Sequence, residues 1–454
     1  MMPQLPESTR AERWSDVAPK FHRLRKNRLI LDGVIVLVAT MSVNALNLVF
    51  TLSMTRQLGI SSFGTLYLMM TIFAAGAVFL SIITTVVARL TAESRRKQDE
   101  AGLSLLAGST LTKSALAALG ACALILAAGP VMDGFFHLEG LAIVVSLATF
   151  VAVQIVLLGM RGILQGLEAF GPLAVSLVTE AVLRTGLAVL WVWMGYGVEG
   201  ALYAYVLGAG FSLAYTILQI SKKTGLRFGG TQLEFGKVLS LAGRVTGATL
   251  SLAALSSVDV VLVKHYFVGA DPGLYGVVAA SGRMLLLAAS FVPMIVLPKA
   301  AAVAGRESSA KQLLLPAGLA VVGISAAGIA IFGLFPEEIV RLMGGANYLA
   351  ATQFVLGYGI AMAILGLSGV IVAYRIGLND FRFVPPIVSL VVAEALAIVW
   401  FHSSLAQIVH VVIGANVLAL CIVLVGVTGS ASRAKEKISK GDRILRLEEV
   451  METM

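Results

Sequence analysis

Charge and cysteine are what this chain has least of. Only 13% of its 454 residues are Asp, Glu, Lys or Arg, about half the share usual in soluble domains. With 58% hydrophobic residues and a mean hydropathy of +0.91, a water-soluble globule is excluded. The two cysteines, Cys122 and Cys421, both fall inside long apolar runs, so neither a disulfide framework nor a CxxC metal site is read. The sequence has no Walker motif, no HExxH or GxSxG and no cluster of Cys and His. Direct ATP coupling and a catalytic constellation are therefore not expected, and no metal or cofactor is called for. The first 28 residues lack the apolar core and small-residue cleavage site of a signal peptide and read as a basic cytosolic tail. Within it, Trp14 to Leu24 is weakly amphipathic and reads either as a surface helix or as a disordered segment.

What the chain has in abundance is apolar length. Runs of about 20 residues match the hydrocarbon thickness that a helix must cross, and unsatisfied backbone groups exclude other open structures in lipid. Twelve such runs are read, at 29–54, 65–90, 109–129, 138–160, 172–194, 201–220, 238–263, 275–297, 313–335, 350–374, 384–400 and 406–427. The expected fold class is an all-α polytopic membrane protein with twelve transmembrane helices. A net charge of +9 does not point to nucleic acid, because its position is topological. Most of the 34 Lys and Arg lie in the even-numbered loops and both tails, in "RLRKNR", "ESRRKQ", "SKKTGLR", "GRESSAK" and "SRAKEKISK". The odd-numbered loops hold only Arg56, Lys264 and Arg341. This asymmetry places both termini in the cytosol of a multi-pass cell-membrane protein, with anionic lipid headgroups as the ordinary partner of the excess charge.

The stretch "TRQLGISSFGTLYLMM" (residues 55–70) is echoed by "HYFVGADPGLYGVVAA" (265–280), aligning Gly59 with Gly269 and Gly64 with Gly276. Independently, "QGLEAFGPLAVSLVTE" (165–180) aligns with "IGLNDFRFVPPIVSLVVAE" (376–394), pairing Gly166 with Gly377, Phe170 with Phe381 and Glu180 with Glu394. Both pairs share nearly the same offset, which indicates a chain built twice from one unit. The expected organisation is a basic tail at 1–28, a six-helix bundle at 29–220, a cytosolic linker at 221–236, a second six-helix bundle at 237–428 and a cytosolic tail at 429–454. Six is even, so the halves insert with the same orientation as parallel repeats, the plan of an alternating-access transporter. At the hinges, the glycines are expected to supply positive φ, and Phe63 and Tyr275 to anchor the span ends at the membrane interface.

"RQLGISSFGTLYLMM", "RGILQGLEAFG" and "DVVLVKHYFVGADPGLYGVVAASGR" are similar to the polysaccharide-transporter branch of the multidrug/oligosaccharidyl-lipid/polysaccharide exporter superfamily. That branch includes O-antigen and capsule flippases, sporulation relatives and lipid II flippases. The resemblance implies a flippase that moves a polyprenyl-(pyro)phosphate-linked oligosaccharide from the inner to the outer leaflet. Glycosyltransferases or a polysaccharide polymerase are partners compatible with it. Lipid II flippases carry two further C-terminal spans, whereas the tail after Gly429 is too polar to span, which favours the oligosaccharide flippases. The rival is an ion-coupled multidrug exporter of the same superfamily. Organic cations would call for acidic and aromatic residues in the cavity, yet the spans are at least as basic as acidic and aromatics make up only 7% of the chain.

Each ionisable residue within a span costs about 2.5–3.5 kcal/mol on insertion scales. Glu180 and Arg184 stand four apart on one helix face, read either as an intrahelical ion pair or as a substrate-binding arginine tuned by its neighbour. A guanidinium suits pyrophosphate because its planar fork pairs bidentately and keeps its charge when desolvated. Arg244, Arg283 and Lys113 complete the candidate substrate-binding set, each with snorkelling to the nearest interface as the bland alternative. Asp259, where the resemblance also puts an acidic residue, reads as a gate, a coupling-ion ligand or a partner of Lys264. Glu394 has Ile398 where its repeat mate has an arginine, which leaves an unpaired carboxylate suited to proton coupling. With Glu180 these form the candidate ion-coupling or gating set. His410 is a weaker coupling candidate, a lone histidine more often being a hydrogen-bonded interior residue.

Overall fold

The computed structural model describes residues 7–138, 140–228, 235–302, 307–425 and 427, with side chains from Leu31 onward outside 229–242, 298 and 301–311. All of its regular structure is helical, as it must be where hydrocarbon offers no partner to a free N–H or C=O. The first six helices are α1 (Glu7–Gln57), α2 (Ile60–Arg96), α3 (Glu100–Phe136), α4 (Leu141–Gly166), α5 (Phe170–Trp193) and α6 (Gly197–Thr224). Then come α7 (Phe235–Leu255), α8 (Val258–Tyr266), α9 (Asp271–Ala289), α10 (Phe291–Ala302) and α11 (Glu307–Leu334). The chain closes with α12 (Pro336–Met343), a 3-10 turn (Ala346–Ala351), α13 (Thr352–Gly377), α14 (Val384–Trp400) and α15 (Leu405–Leu424). Eleven helical stretches among the described residues are long and apolar enough to span, and Val384–Trp400 is a shorter apolar helix.

The chain reverses direction with conventional caps at two places. Asp99 precedes α3 and accepts from the Gly102 N–H at 2.8 Å, and Ser404 precedes α15 and accepts from the Gln407 N–H. Each occupies an N-terminal donor that the helix itself leaves unused. Helices α1 to α6 pack mainly among themselves, as do α9, α10, α11, α13 and α15, while α2 also lies against α7 and α9.

Two sequence expectations change here. Residues Trp14 to Leu24 are helical and continuous with the first span, because α1 runs unbroken from Glu7. The seventh and eighth spans are each broken, at Ser256–Ser257 between α7 and α8 and at Ser290 between α9 and α10. The tail from 429 and linker residues 229–234 lie outside the described residues.

The two echoing hinges meet each other. A Cβ on Gly64 would lie 2.7 Å from the Gly273 nitrogen, and one on Gly273 would lie 1.9 Å from the Ile60 carbonyl oxygen. Only glycine permits so close a backbone approach. Beside this contact the Thr55 hydroxyl donates to the Met343 carbonyl at 2.6 Å, and Arg56 donates to the Leu342 carbonyl at 3.1 Å. Phe63 and Tyr275 are therefore not interfacial anchors. Both are fully buried, with Phe63 in the seam against Tyr348 at a centroid distance of 6.1 Å. Gly269 does have positive φ, at 68°, but Gly59 is an extended N-cap at φ −64°.

Candidate substrate and ion-coupling site

Helix α2 meets one arginine directly and a second through a tyrosine of α6. From α9, Arg283 donates to the Thr71 hydroxyl at 3.0 Å and lies 5.4 Å from the Tyr67 ring centroid. A second donor of the same guanidinium reaches the Ser256 carbonyl, which the break between α7 and α8 presents to it. From α5, Arg184 donates to the Asn47 side chain and lies 4.8 Å from the Tyr205 ring and 5.9 Å from the Phe50 ring. Tyr205 packs in turn on Phe73 of α2, with ring centroids 5.0 Å apart. Cation–π contacts of this kind contribute about 0.5–2 kcal/mol and hold a charged group without neutralising it. Both arginines are partly buried, and the Nε of each lacks a hydrogen-bond partner among the described residues. Both Nε atoms are shielded from solvent in this conformation.

Glu180 does not pair with Arg184. Its partner is Arg161 of α4, at 2.7 Å, and its other oxygen accepts from Gln154 at 2.7 Å. Arg161 is 5% exposed and Glu180 9%. The same guanidinium donates to the Ser176 hydroxyl, the Ser176 carbonyl and the Ser212 hydroxyl, each at 3.0 Å. Thr216 extends the network at 2.9 Å from Ser176. Such satisfaction is what makes a buried pair tolerable, since an unpaired member would carry its full desolvation cost. Arg161 was missed in the sequence because the fourth span was ended at Met160. Its signal was the apolar pattern that continues through "GILQG" to Gly166. The same error hid Arg375 beyond Tyr374. It is 3% exposed, pairs with Asp380 at 2.8 Å and donates to the carbonyls of Val423 and Val425 at the end of α15.

The other acidic residues form a different environment. Asp259, 0% exposed, accepts from the Tyr275 hydroxyl at 2.7 Å and the Tyr358 hydroxyl at 2.8 Å, both on the same oxygen. Its second oxygen has no partner among the described residues. Two tyrosines thus take the place expected for Lys264, which stands five residues on and about 140° round the helix. The restart of the chain at Ser257 sets Asp259 in the first turn of α8, where the helix dipole favours a negative charge. Glu394, 2% exposed on α14, lies within electrostatic reach of Asp259 and Tyr275. Neither of its oxygens has a hydrogen-bond partner among the described residues. On the neighbouring α15, Asn416 is fully buried with both side-chain polar atoms likewise unpartnered, and nothing in the sequence reading had marked it.

Not every expected residue joins these clusters. Lys113 and Arg244 are exposed, Arg244 lying 5.9 Å from the Phe381 ring centroid. His410 is exposed on α15, which corrects its reading as an interior, hydrogen-bonded histidine.

A sequence profile of the family described as polysaccharide biosynthesis protein matches residues 30–298, more than half of the chain. No curated protein matches. Among solved structures, the lipid II flippase MurJ in an inward closed conformation superimposes with a TM-score of 0.68 at 13% identity, covering 88% of this chain and 90% of that one. A multidrug resistance MATE family transporter of the MOP superfamily in its inward-facing conformation gives 0.66 at 17% identity, with 89% and 98% covered. An outward-facing conformation of a transporter of that kind gives 0.55 at 17% identity, with 90% and 96% covered. These likenesses establish a shared all-helical transporter fold.

Proposed function

Because this chain belongs to the polysaccharide biosynthesis protein family, as a multi-pass transporter of the MOP superfamily, we propose that it flips a polyprenyl-(pyro)phosphate-linked oligosaccharide across the cell membrane. The observation that carries this reading is the pair Arg184 and Arg283, two partly buried guanidiniums within the spans that rest on tyrosine rings and belong to no ion pair among the described residues. A diphosphate linker is the part of the substrate that most needs help to leave the headgroup region, because its charge is costly in hydrocarbon. Two guanidiniums that stay charged when desolvated supply what water supplied outside, and they bind phosphate oxygens through a planar fork. Arg244 and Lys113, exposed, would receive the headgroup before it reaches the arginines.

The halves 29–220 and 237–428 rock about their shared seam, with both termini cytosolic. The glycine contact between α2 and α9 closes the outer end, in keeping with the better superposition on inward conformations. Coupling falls to the second half. Asp259 and Glu394, close in space and short of partners, take up a proton or a small cation in one state and release it in the other. Glu180, neutralised by Arg161, holds its bundle together and does not couple. Glycosyltransferases or a polymerase would supply or consume the flipped lipid.

A second reading, export of organic cations, is favoured by one observation, the incompletely satisfied carboxylates Asp259 and Glu394 with two tyrosines beside them. The deciding measurement is transfer of a fluorescent polyprenyl-diphosphate oligosaccharide across proteoliposomes. The native protein is expected to transfer it, and Arg283→Ala to slow transfer about 10-fold or more, as loss of a charged hydrogen bond implies. Export of ethidium without transfer of the lipid would put the cation exporter in its place.

A further inference from the structure

A cavity of about 320 Å³ lies in the second half where α7, the junction of α9 and α10, and α13 converge. Its walls are mainly apolar, with leucines beside small residues that include Ala253 of α7, Ser256 in the break after it, Ala289 and Ser290 at the junction, and Gly366 and Gly369 of α13. The size is at the lower end of the range in which small-molecule sites fall, roughly 300–1,000 Å³. A Cβ placed on Gly369 would meet nothing within 4 Å, so the space on that side is open.

Two features make this more than a packing defect. Both spans that border it are interrupted at its level, at Ser256–Ser257 and at Ser290. Irregular backbone inside a membrane is tolerated where it is buried in protein or lines a cavity, and discontinuous spans mark binding sites in transporters. A guanidinium also stands just behind one wall, since Ser256 lines the cavity and its carbonyl accepts from Arg283, which itself lies outside the lining. Along α9 and α10, Leu287, Phe291 and Met294 are exposed, so the opening at Ser290 adjoins an apolar surface. An anion-binding group at the head of an apolar crevice selects an amphiphile whose hydrocarbon begins directly beside its phosphate. A sugar would leave its hydroxyls unpaired against such walls.

Resting on the flippase reading, we infer that this crevice binds the phosphate-proximal isoprene units of the lipid carrier while Arg283 holds the adjoining phosphate. The small residues of α13 and α7 make room for the methyl branches that an isoprenoid carries and a straight acyl chain lacks. Tail and linker are then bound by one half of the protein, at the seam across which Arg283 touches α2.

The test uses the full chain in nanodiscs, with Cys122→Ala and Cys421→Ala and a bimane fluorophore on Ser290→Cys. The probe is decaprenyl phosphate brominated on the isoprene next to the phosphate. Saturable quenching is expected, reversed by unlabelled undecaprenyl phosphate but not by an equal amount of phosphatidylglycerol. Gly369→Leu and, independently, Ala253→Leu should each raise the half-saturating concentration about 10-fold, and Arg283→Ala by a similar factor. Equal displacement by phosphatidylglycerol would make the crevice an ordinary lipid niche and overturn the inference, as would unchanged quenching in both filled variants. In proteoliposomes, a native protein that moves the oligosaccharide lipid while the filled variants move it equally well refutes the tail site alone. Absence of transfer by the native protein counts against the flippase reading instead.

Discussion

Glu180 and Glu394 align in the sequence echo, yet they live in opposite circumstances. Glu180 is locked to Arg161 and Gln154 within a web of serine and threonine hydroxyls. Glu394 is more deeply buried and lacks any hydrogen bond among the described residues, with Asp259 as an acidic neighbour. Two carboxylates that the sequence echo aligns therefore have different surroundings, one paired with a buried arginine and one without a hydrogen-bond partner among the described residues.

The sharpest way to break this comparison is to remove each carboxylate. Glu180→Leu strands the buried Arg161 and is expected to cost about 3–5 kcal/mol, seen as a large drop in the detergent unfolding temperature. Adding Arg161→Leu should recover most of that loss, because an apolar pair of similar volume avoids both desolvation costs. Glu394→Leu, with no hydrogen bond to lose, is expected to leave thermal stability unchanged or improved while abolishing the dependence of transfer on an ion gradient. Equal destabilisation by both leucine variants would refute the contrast.

A second comparison is sharpened at the hinges. Gly64→Val should force α2 away from the Pro272–Gly273 backbone and shift the population toward an outward-open form. The distance between spin labels on Arg56→Cys and Leu342→Cys would lengthen in that variant, and the same distribution in both proteins would deny the seam its gating role. Within the second half, Tyr275→Phe and Tyr358→Phe are each expected to cost about 1 kcal/mol. The double variant should cost more than their sum, since the second loss leaves the Asp259 carboxylate bare. The smallest effect is expected for Arg244→Ala, whose exposed contact with Phe381 contributes at most about 1 kcal/mol to stability.

The helices were legible because the membrane imposes a length and an apolar composition that few other structures share. Arg161 and Arg375 escaped because each span was ended at its first charge, although a buried pair lets a helix continue through one. Asn416 escaped because a neutral amide in an apolar run carries no charge to flag it. Of the two readings offered for Glu180 and Arg184, the intrahelical pair does not form, because i,i+4 spacing is visible along the chain and the actual partner, Arg161, stands on another helix.

By itself the sequence determined that this is an all-helical membrane protein of many spans that carry both arginines and carboxylates, since hydropathy and composition are properties of the linear chain. Only the tertiary structure decided which of those charges are neutralised, which rest on tyrosine rings and which are left without partners. The physical reason is that the cost of a buried charge depends on the few ångströms around it, and helix packing, not sequence distance, fills that space.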